Sequence, residues 1–163
     1  MMQSRLDIYI DQVVSKRACL NKAADLVAEM DGPVFELGLG NGRSYNHMCS
    51  LLPVNDIFVF EEVAPAHPVV TPPDAQLILG DVFDTMPRTL ARFGATARLV
   101  HVDLGGHDQV KNDQFARAIS PLVEPLLARG AVMVSSHQMY FDAARAIDLP
   151  VDAVAGRTFL YQK

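Results

Sequence analysis

Cysteine is scarce in this chain of 163 residues: Cys19 and Cys49 are the two present, and their spacing suits neither a metal centre nor a disulfide framework. Both read as reduced thiols lying on helices. Long apolar runs are missing too, and none approaches the roughly 18 residues that cross a bilayer. The opening stretch, Met1-Met2-Gln3-Ser4-Arg5-Leu6-Asp7, is charged early and has no apolar segment of the secretory kind. There is no dense Lys/Arg run, and the formal net charge of −5 argues against a grip on nucleic-acid phosphates. Internal repeats and a second domain are not visible. The expectation left by these absences is a soluble, cytoplasmic, single domain over residues 1–163 that binds neither membrane nor nucleic acid. What is there fits a packed core: half of the chain is hydrophobic and a fifth is charged.

Periodicity then sorts the elements. Leu6, Ile10, Val13, Leu20, Ala24 and Val27 recur at alternating spacings of three and four, which predicts an amphipathic helix over residues 5–30, within an N-terminal segment 1–31. Arg17 falls on the same stripe. Asp31-Gly32-Pro33 stops the helix. Strands are expected at residues 33–37, 57–60, 76–79, 99–102, 131–134 and 158–161. Helices are expected at residues 43–52, 84–93, 112–129 in two pieces, and 140–149. Ser120-Pro121 reads as the start of the second of those pieces, and Gly130 as its stop. Residues 64–73 hold four prolines and read as a loop. Strands alternating with helices predict a mostly parallel sheet with right-handed crossovers.

The informative stretch is Val34-Phe35-Glu36-Leu37-Gly38-Leu39-Gly40-Asn41-Gly42-Arg43-Ser44-Tyr45. A glycine-rich turn between a strand and a helix lets a ligand approach the backbone. A dinucleotide fingerprint would want glycine at position 43; here that residue is Arg43, and the third glycine comes one place earlier.

An acid followed by Gly-x-Gly-x-Gly resembles motif I of the class I S-adenosylmethionine-dependent methyltransferases. The run Glu36 to Tyr45 with the N-terminal helix also resembles a small bacterial methyltransferase-like family of unassigned substrate. The resemblance spans about residues 33 to 163 and implies S-adenosylmethionine as cofactor. It implies that Gly38, Gly40, Asn41, Gly42 and Arg43 approach the methionine portion, and that Glu36 helps hold the ammonium group. It further implies Glu61, in preference to Glu62, on the ribose hydroxyls. Asp81 and Val82 fall beside the adenine, and Asp103 at the end of the fourth strand. Fewer residues follow position 149 than the usual final hairpin needs, so that hairpin is expected to be short or reduced to one strand.

Alternatives stand beside several of these residues. Glu36 is otherwise a surface acid. Asn41 either adopts an unusual backbone angle or meets ligand. Arg43, unfavourable at a helix N-terminus, pairs with a carboxylate of the cofactor or of Glu36, or is solvated. Arg17 either covers apolar surface or makes the first helix a lid and meets a carboxylate of cofactor or substrate. Tyr45 is a core or pocket-wall residue and, with Arg17 and Asp108, a substrate-binding candidate. His101 reads as buried and hydrogen-bonded rather than catalytic. Asp103, His107 and His137 are the candidates for a catalytic base; no histidine spacing supports a metal.

The fold expected is α/β, a Rossmann-like three-layer sandwich on a six- or seven-stranded, mostly parallel sheet with an extra N-terminal helix. The function expected is methyl transfer to an unknown, small-molecule acceptor, with a homodimer as a possible assembly. A non-catalytic cofactor-binding module, an aminopropyl transferase and an NAD(P)-dependent oxidoreductase are the alternatives.

Overall fold

In the computed structural model, residues 2–64, 70–106 and 108–163 are described. Seven strands form one sheet: β1 (Val34–Leu37), β2 (Ile57–Glu61), β3 (Leu77–Leu79), β4 (Ala97–Val102), β5 (Leu127–Ser135), β6 (Arg145–Ala146) and β7 (Phe159–Gln162). Their spatial order is β3-β2-β1-β4-β5-β7-β6. The pairs from β3 through β5 are parallel, and β7 runs antiparallel to both β5 and β6. Among the described residues, four α-helices complete the layers: α1 (Arg5–Leu26), α2 (Arg43–Cys49), α3 (Val82–Phe93) and α4 (Gln109–Val123).

Strand alternation divides the core in two. Val34, Ile57, Val59, Leu99, Val132 and Val134 face the layer of α1 and α2. Phe35, Leu37, Phe60, Val100, Val102 and Met133 face the opposite layer, where Met86 of α3 and Ile119 of α4 are also buried. On the first of these faces the same alternation sets Glu36 beside His101, its Cα partner across the β1–β4 pair. The strand order reverses between β1 and β4, so the carboxyl ends of these strands open a crevice there.

The expected sheet of six or seven strands is present with seven, and the final hairpin is short, β6 having two residues. Three expectations need correction. No helix forms over residues 140–149. The Glu124 carboxylate accepts from the backbone N–H groups of Asp142, Ala143 and Ala144, and Tyr140 N–H donates to Ser120 Oγ. Amides bonded in this way are not available to a helical ladder. The second correction concerns α4, which runs unbroken through Pro121; Ser120 is interior and returns its hydroxyl to Ala116 O at 2.6 Å. Third, residues 127–129 belong to β5, and Gly130 lies within that strand, donating to Lys163 O at 2.7 Å.

The α1 stripe is also only half a core face. Leu20, Ala23, Ala24 and Val27 are buried, whereas Leu6, Ile10 and Val13 are exposed. Among the described residues, no helix is long and apolar enough to cross a membrane.

Candidate functional site

The glycine turn leaves β1 at the crevice. Gly38 has φ +90°, and a Cβ there would stand 2.9 Å from Asp103 O and 2.8 Å from Leu104 Cδ2. The loop after β4 therefore sits directly against position 38. Gly40, at φ +50°, differs: a Cβ would meet nothing within 4 Å. Gly42 caps α2 in a left-handed conformation. Asn41 has no positive φ, so the unusual-angle alternative falls away.

Glu61, at the end of β2, accepts from the turn. Its Oε2 lies 2.8 Å from Leu39 N and 3.4 Å from Gly40 N. The carboxylate thus sets the shape of the turn. Glu36 takes a different place from a surface acid or an exposed ligand. It is fully buried, accepting from Ser44 Oγ at 2.7 Å with Oε1 and lying 2.5 Å from His101 Nδ1 with Oε2. Direct contact with a ligand ammonium is closed to it in this arrangement. His101 is fully buried as well, and its Nε2 has no hydrogen-bond partner among the described residues.

Two adjoining cavities open at the crevice. The larger, about 600 Å³, lies under α1 and over the ends of β1, β4 and β5. Arg17, Gly40, Asn41, Arg43, Asp103 and His137 are among its walls. The smaller, about 250 Å³, is bordered by Glu61, Glu62, Asp81, Val82, Phe83 and Phe115. Leu104 and Gly105 border both. Phe83 and Phe115 meet edge to face with centroids 5.7 Å apart, giving the smaller cavity an aromatic wall. Asp81 caps α3, accepting from Phe83 N–H at 2.7 Å.

On the wall of the larger cavity, Asp103 accepts from Lys16 Nζ at 2.6 Å and from Ser136 Oγ at 2.5 Å. Burial pushes its carboxyl up, but the His101 imidazole, the Lys16 ammonium and the hydrogen bonds from Lys16 and Ser136 outweigh it. Asp103 is held below the ordinary carboxylate value. His137 follows β5. Burial lowers it below the ordinary histidine value, against smaller upward effects from a Leu104 backbone hydrogen bond and the charge of Asp103. Burial thus favours the neutral imidazole. Gly105 admits this ring: a Cβ at 105 would stand 2.5 Å from His137 Nε2. Asn112 holds the same loop through both amide atoms, accepting from Gly106 N–H at 2.9 Å and donating to Gly106 O at 2.8 Å.

Several sequence-predicted residues lie elsewhere. Tyr45 is buried in the α1–α2 layer, not on the cavity wall; burial, with the Cys49 thiol beside it, pushes its phenol up to about 12. Asp108 caps α4, accepting from the Val110 and Lys111 N–H groups, and borders neither cavity. Arg43 donates to the Tyr9 hydroxyl at 2.6 Å rather than to Glu36. His107 lies outside the described residues. Lys16, Ser136, Asn112 and Arg157 were not singled out by pattern. Lys16 had a signal, as the neighbour of a cation on the α1 stripe; Ser136 adjoined a named histidine. No group of three or more His, Cys, Asp or Glu gathers as a metal site among the described residues.

The arrangement defines a Rossmann-like α/β protein of the methyltransferase type, with a seven-stranded sheet and a glycine turn at its reversal point. More particularly, residues 3–163 match the model of the S-adenosyl-L-methionine methyltransferase family, and the chain belongs to that family. It is similar to the crystal structure of an S-adenosyl-L-methionine methyltransferase from Silicibacter pomeroyi DSS-3, with 57% identity, 99% of each chain covered and a TM-score of 0.95. A protein-(glutamine-N5) methyltransferase from Alicyclobacillus acidocaldarius is 14% identical over 99% of each chain, with a TM-score of 0.52; that likeness is one of fold alone. No curated protein matches the chain.

The family's cofactor, S-adenosylmethionine, fits the residues present. Gly40 leaves open space where any side chain would stand. The smaller cavity offers an aromatic wall for a purine and the Glu61 carboxylate for a diol. The larger cavity offers guanidinium groups for a carboxylate.

Proposed function

We propose that the chain transfers the methyl group of S-adenosylmethionine to a small-molecule acceptor seated in the larger cavity. The observation that carries this reading is the pair of adjoining cavities that share Leu104 and Gly105, one walled by the glycine turn and the other by Glu61, which holds that turn. The smaller suits a nucleoside; the larger has room for an amino-acid end and a second small molecule.

When bound, the cofactor supplies a sulfonium-activated methyl group. Glu61 and the Phe83–Phe115 wall hold the nucleoside, and Leu39, Gly40 and Asn41 approach the methionine end. Catalysis is then chiefly alignment of the acceptor atom. His137, whose burial favours the neutral imidazole, is the base for an acceptor that arrives protonated. Asp103, fixed by Lys16 and Ser136, positions the acceptor and stays ionised.

Calorimetric titration with S-adenosylmethionine tests the reading, beside a Gly40→Val variant. Micromolar binding that the variant loses is the expected result. A folded wild type that ignores S-adenosylmethionine and binds a nicotinamide dinucleotide would overturn it. Transfer of a labelled methyl group into a deproteinised metabolite extract, and not into protein, is the matching expectation for a small acceptor.

A further inference from the structure

We propose that the acceptor is a small anion bearing carboxylate or phosphate groups, an assignment that rests on the methyl-transfer reading above. Three arginines reach the larger cavity from separate parts of the chain: Arg17 on α1, Arg43 on α2 and Arg157 just before β7. Among the described residues, none lies within 4.0 Å of a carboxylate. The remaining residues, 1, 65–69 and 107, include no Asp or Glu. Arg43 donates to the Tyr9 hydroxyl at 2.6 Å and Arg157 to the Gln3 side-chain carbonyl at 3.0 Å. Both acceptors are neutral, so neither guanidinium is held in a direct ion pair, although Gln3 in turn donates to the Asp11 carboxylate.

The wall has one acid among the described residues, Asp103, and Lys16 already neutralises it at 2.6 Å. The cavity therefore presents a surplus of positive charge within a chain whose net charge is −5. Such a local reversal focuses an attractive field on anions. The amino-acid end of the cofactor brings one carboxylate, which a single guanidinium can hold in a fork-to-fork pair. Two arginines remain for the acceptor. A cationic acceptor, a polyamine for example, would be set against like charge. The volume of about 600 Å³, shared with the methionine end, keeps the acceptor small.

The test uses the full chain saturated with S-adenosylhomocysteine, so that the cofactor's own carboxylate is already in place. Tricarballylate and inorganic phosphate are titrated by calorimetry, with glycerol and choline as the uncharged and cationic counterparts. At least one anion is expected to bind, and glycerol and choline are not. A double variant, Arg17→Gln with Arg157→Gln, should weaken the anion about tenfold or more, and Arg17→Lys with Arg157→Lys should restore part of the affinity. Raised salt should weaken it in the wild type, a check independent of any variant. Anions that bind no better than glycerol or choline would overturn the assignment, as would equal anion binding by wild type and double Gln variant. Failure of S-adenosylhomocysteine itself to bind would remove the methyl-transfer reading and the anion assignment with it. Its binding without anion binding would remove the assignment alone.

Discussion

Gly38 and Gly40 stand two positions apart and answer to different constraints. Replacing Gly38 by alanine places a methyl group 2.9 Å from Asp103 O at φ +90°. A loss of about 3 kcal/mol or more is expected from strain and overlap together. Gly40→Ala meets open space, so only the left-handed backbone is penalised, at about 1–2 kcal/mol. Its main effect should be weaker S-adenosylhomocysteine binding. Urea melts and calorimetry on both variants check the contrast; equal destabilisation would contradict it. His137 carries a second prediction. Its folded value is lowered by burial, so its contribution to stability is fully present above the unfolded value of about 6.5. That contribution is lost as pH falls through the lowered folded value. Between pH 7 and 5 the wild type should lose more stability than His137→Asn, which melting curves at several pH values would show. At this scale the sequence was least informative. Glu36 and Asp108 were visible as acids at the right places in the chain, yet one is buried against His101 and the other caps a helix. Pattern locates a residue at a strand or helix end; it does not say which neighbour has already taken the side chain.

Helix α1 behaves as two segments. Its C-terminal half rests on the sheet, burying Cys19, Leu20, Ala23 and Ala24. Its N-terminal half overhangs the larger cavity and is tied down by Lys16 to Asp103. Lys16→Met should leave Asp103 half-buried without the ammonium that hydrogen-bonds it. Asp103 would then titrate higher, and stability at pH 7 should fall by about 1–2 kcal/mol. Amide exchange should quicken in the first turns of α1 while the sheet stays protected; unchanged exchange there would mean the bridge does not hold the helix. The elements themselves were largely legible. Every strand from β1 to β5 and β7 contains an apolar run, and Gly94 stops α3 as read, whereas Gly130 lies within β5 and Pro121 within α4. The period over residues 140–149 is helical, but Glu124 reaches across from the end of α4 and takes three of its amides. Glu124→Ala should therefore loosen the β5–β6 connection and lower stability by about 1–2 kcal/mol, seen as a shift in the urea midpoint. The stripe of α1 was read correctly as a face, and periodicity holds no information on how much of a face finds a partner.

For the molecule as a whole, the strand order β3-β2-β1-β4-β5-β7-β6 brings distant stretches of chain to one crevice. Residues 16, 40, 61, 103 and 137 meet there because the order reverses between β1 and β4. That convergence followed from the βαβ rhythm, and with it the position of the site. The surplus of arginines did not, since Arg157 joins the wall only through the return of β7. A ligand confined to the folded state should stabilise the entire sheet. S-adenosylhomocysteine at a hundred times its Kd is expected to add about 2.7 kcal/mol, or roughly 5–10 °C in Tm for a chain of this size, and a flat response would count against a preformed site. The hydroxyl of Tyr9, bonded to Arg43 at the cavity wall, has an optical consequence. The chain has no tryptophan and four tyrosines. Tyr45 and Tyr161 are buried, and Tyr140 donates to the Asp113 carboxylate, whereas Tyr9 is 46% exposed. A Tyr9→Trp substitution would create the sole indole, excitable apart from every other chromophore, and its emission would report the arrival of an unlabelled ligand.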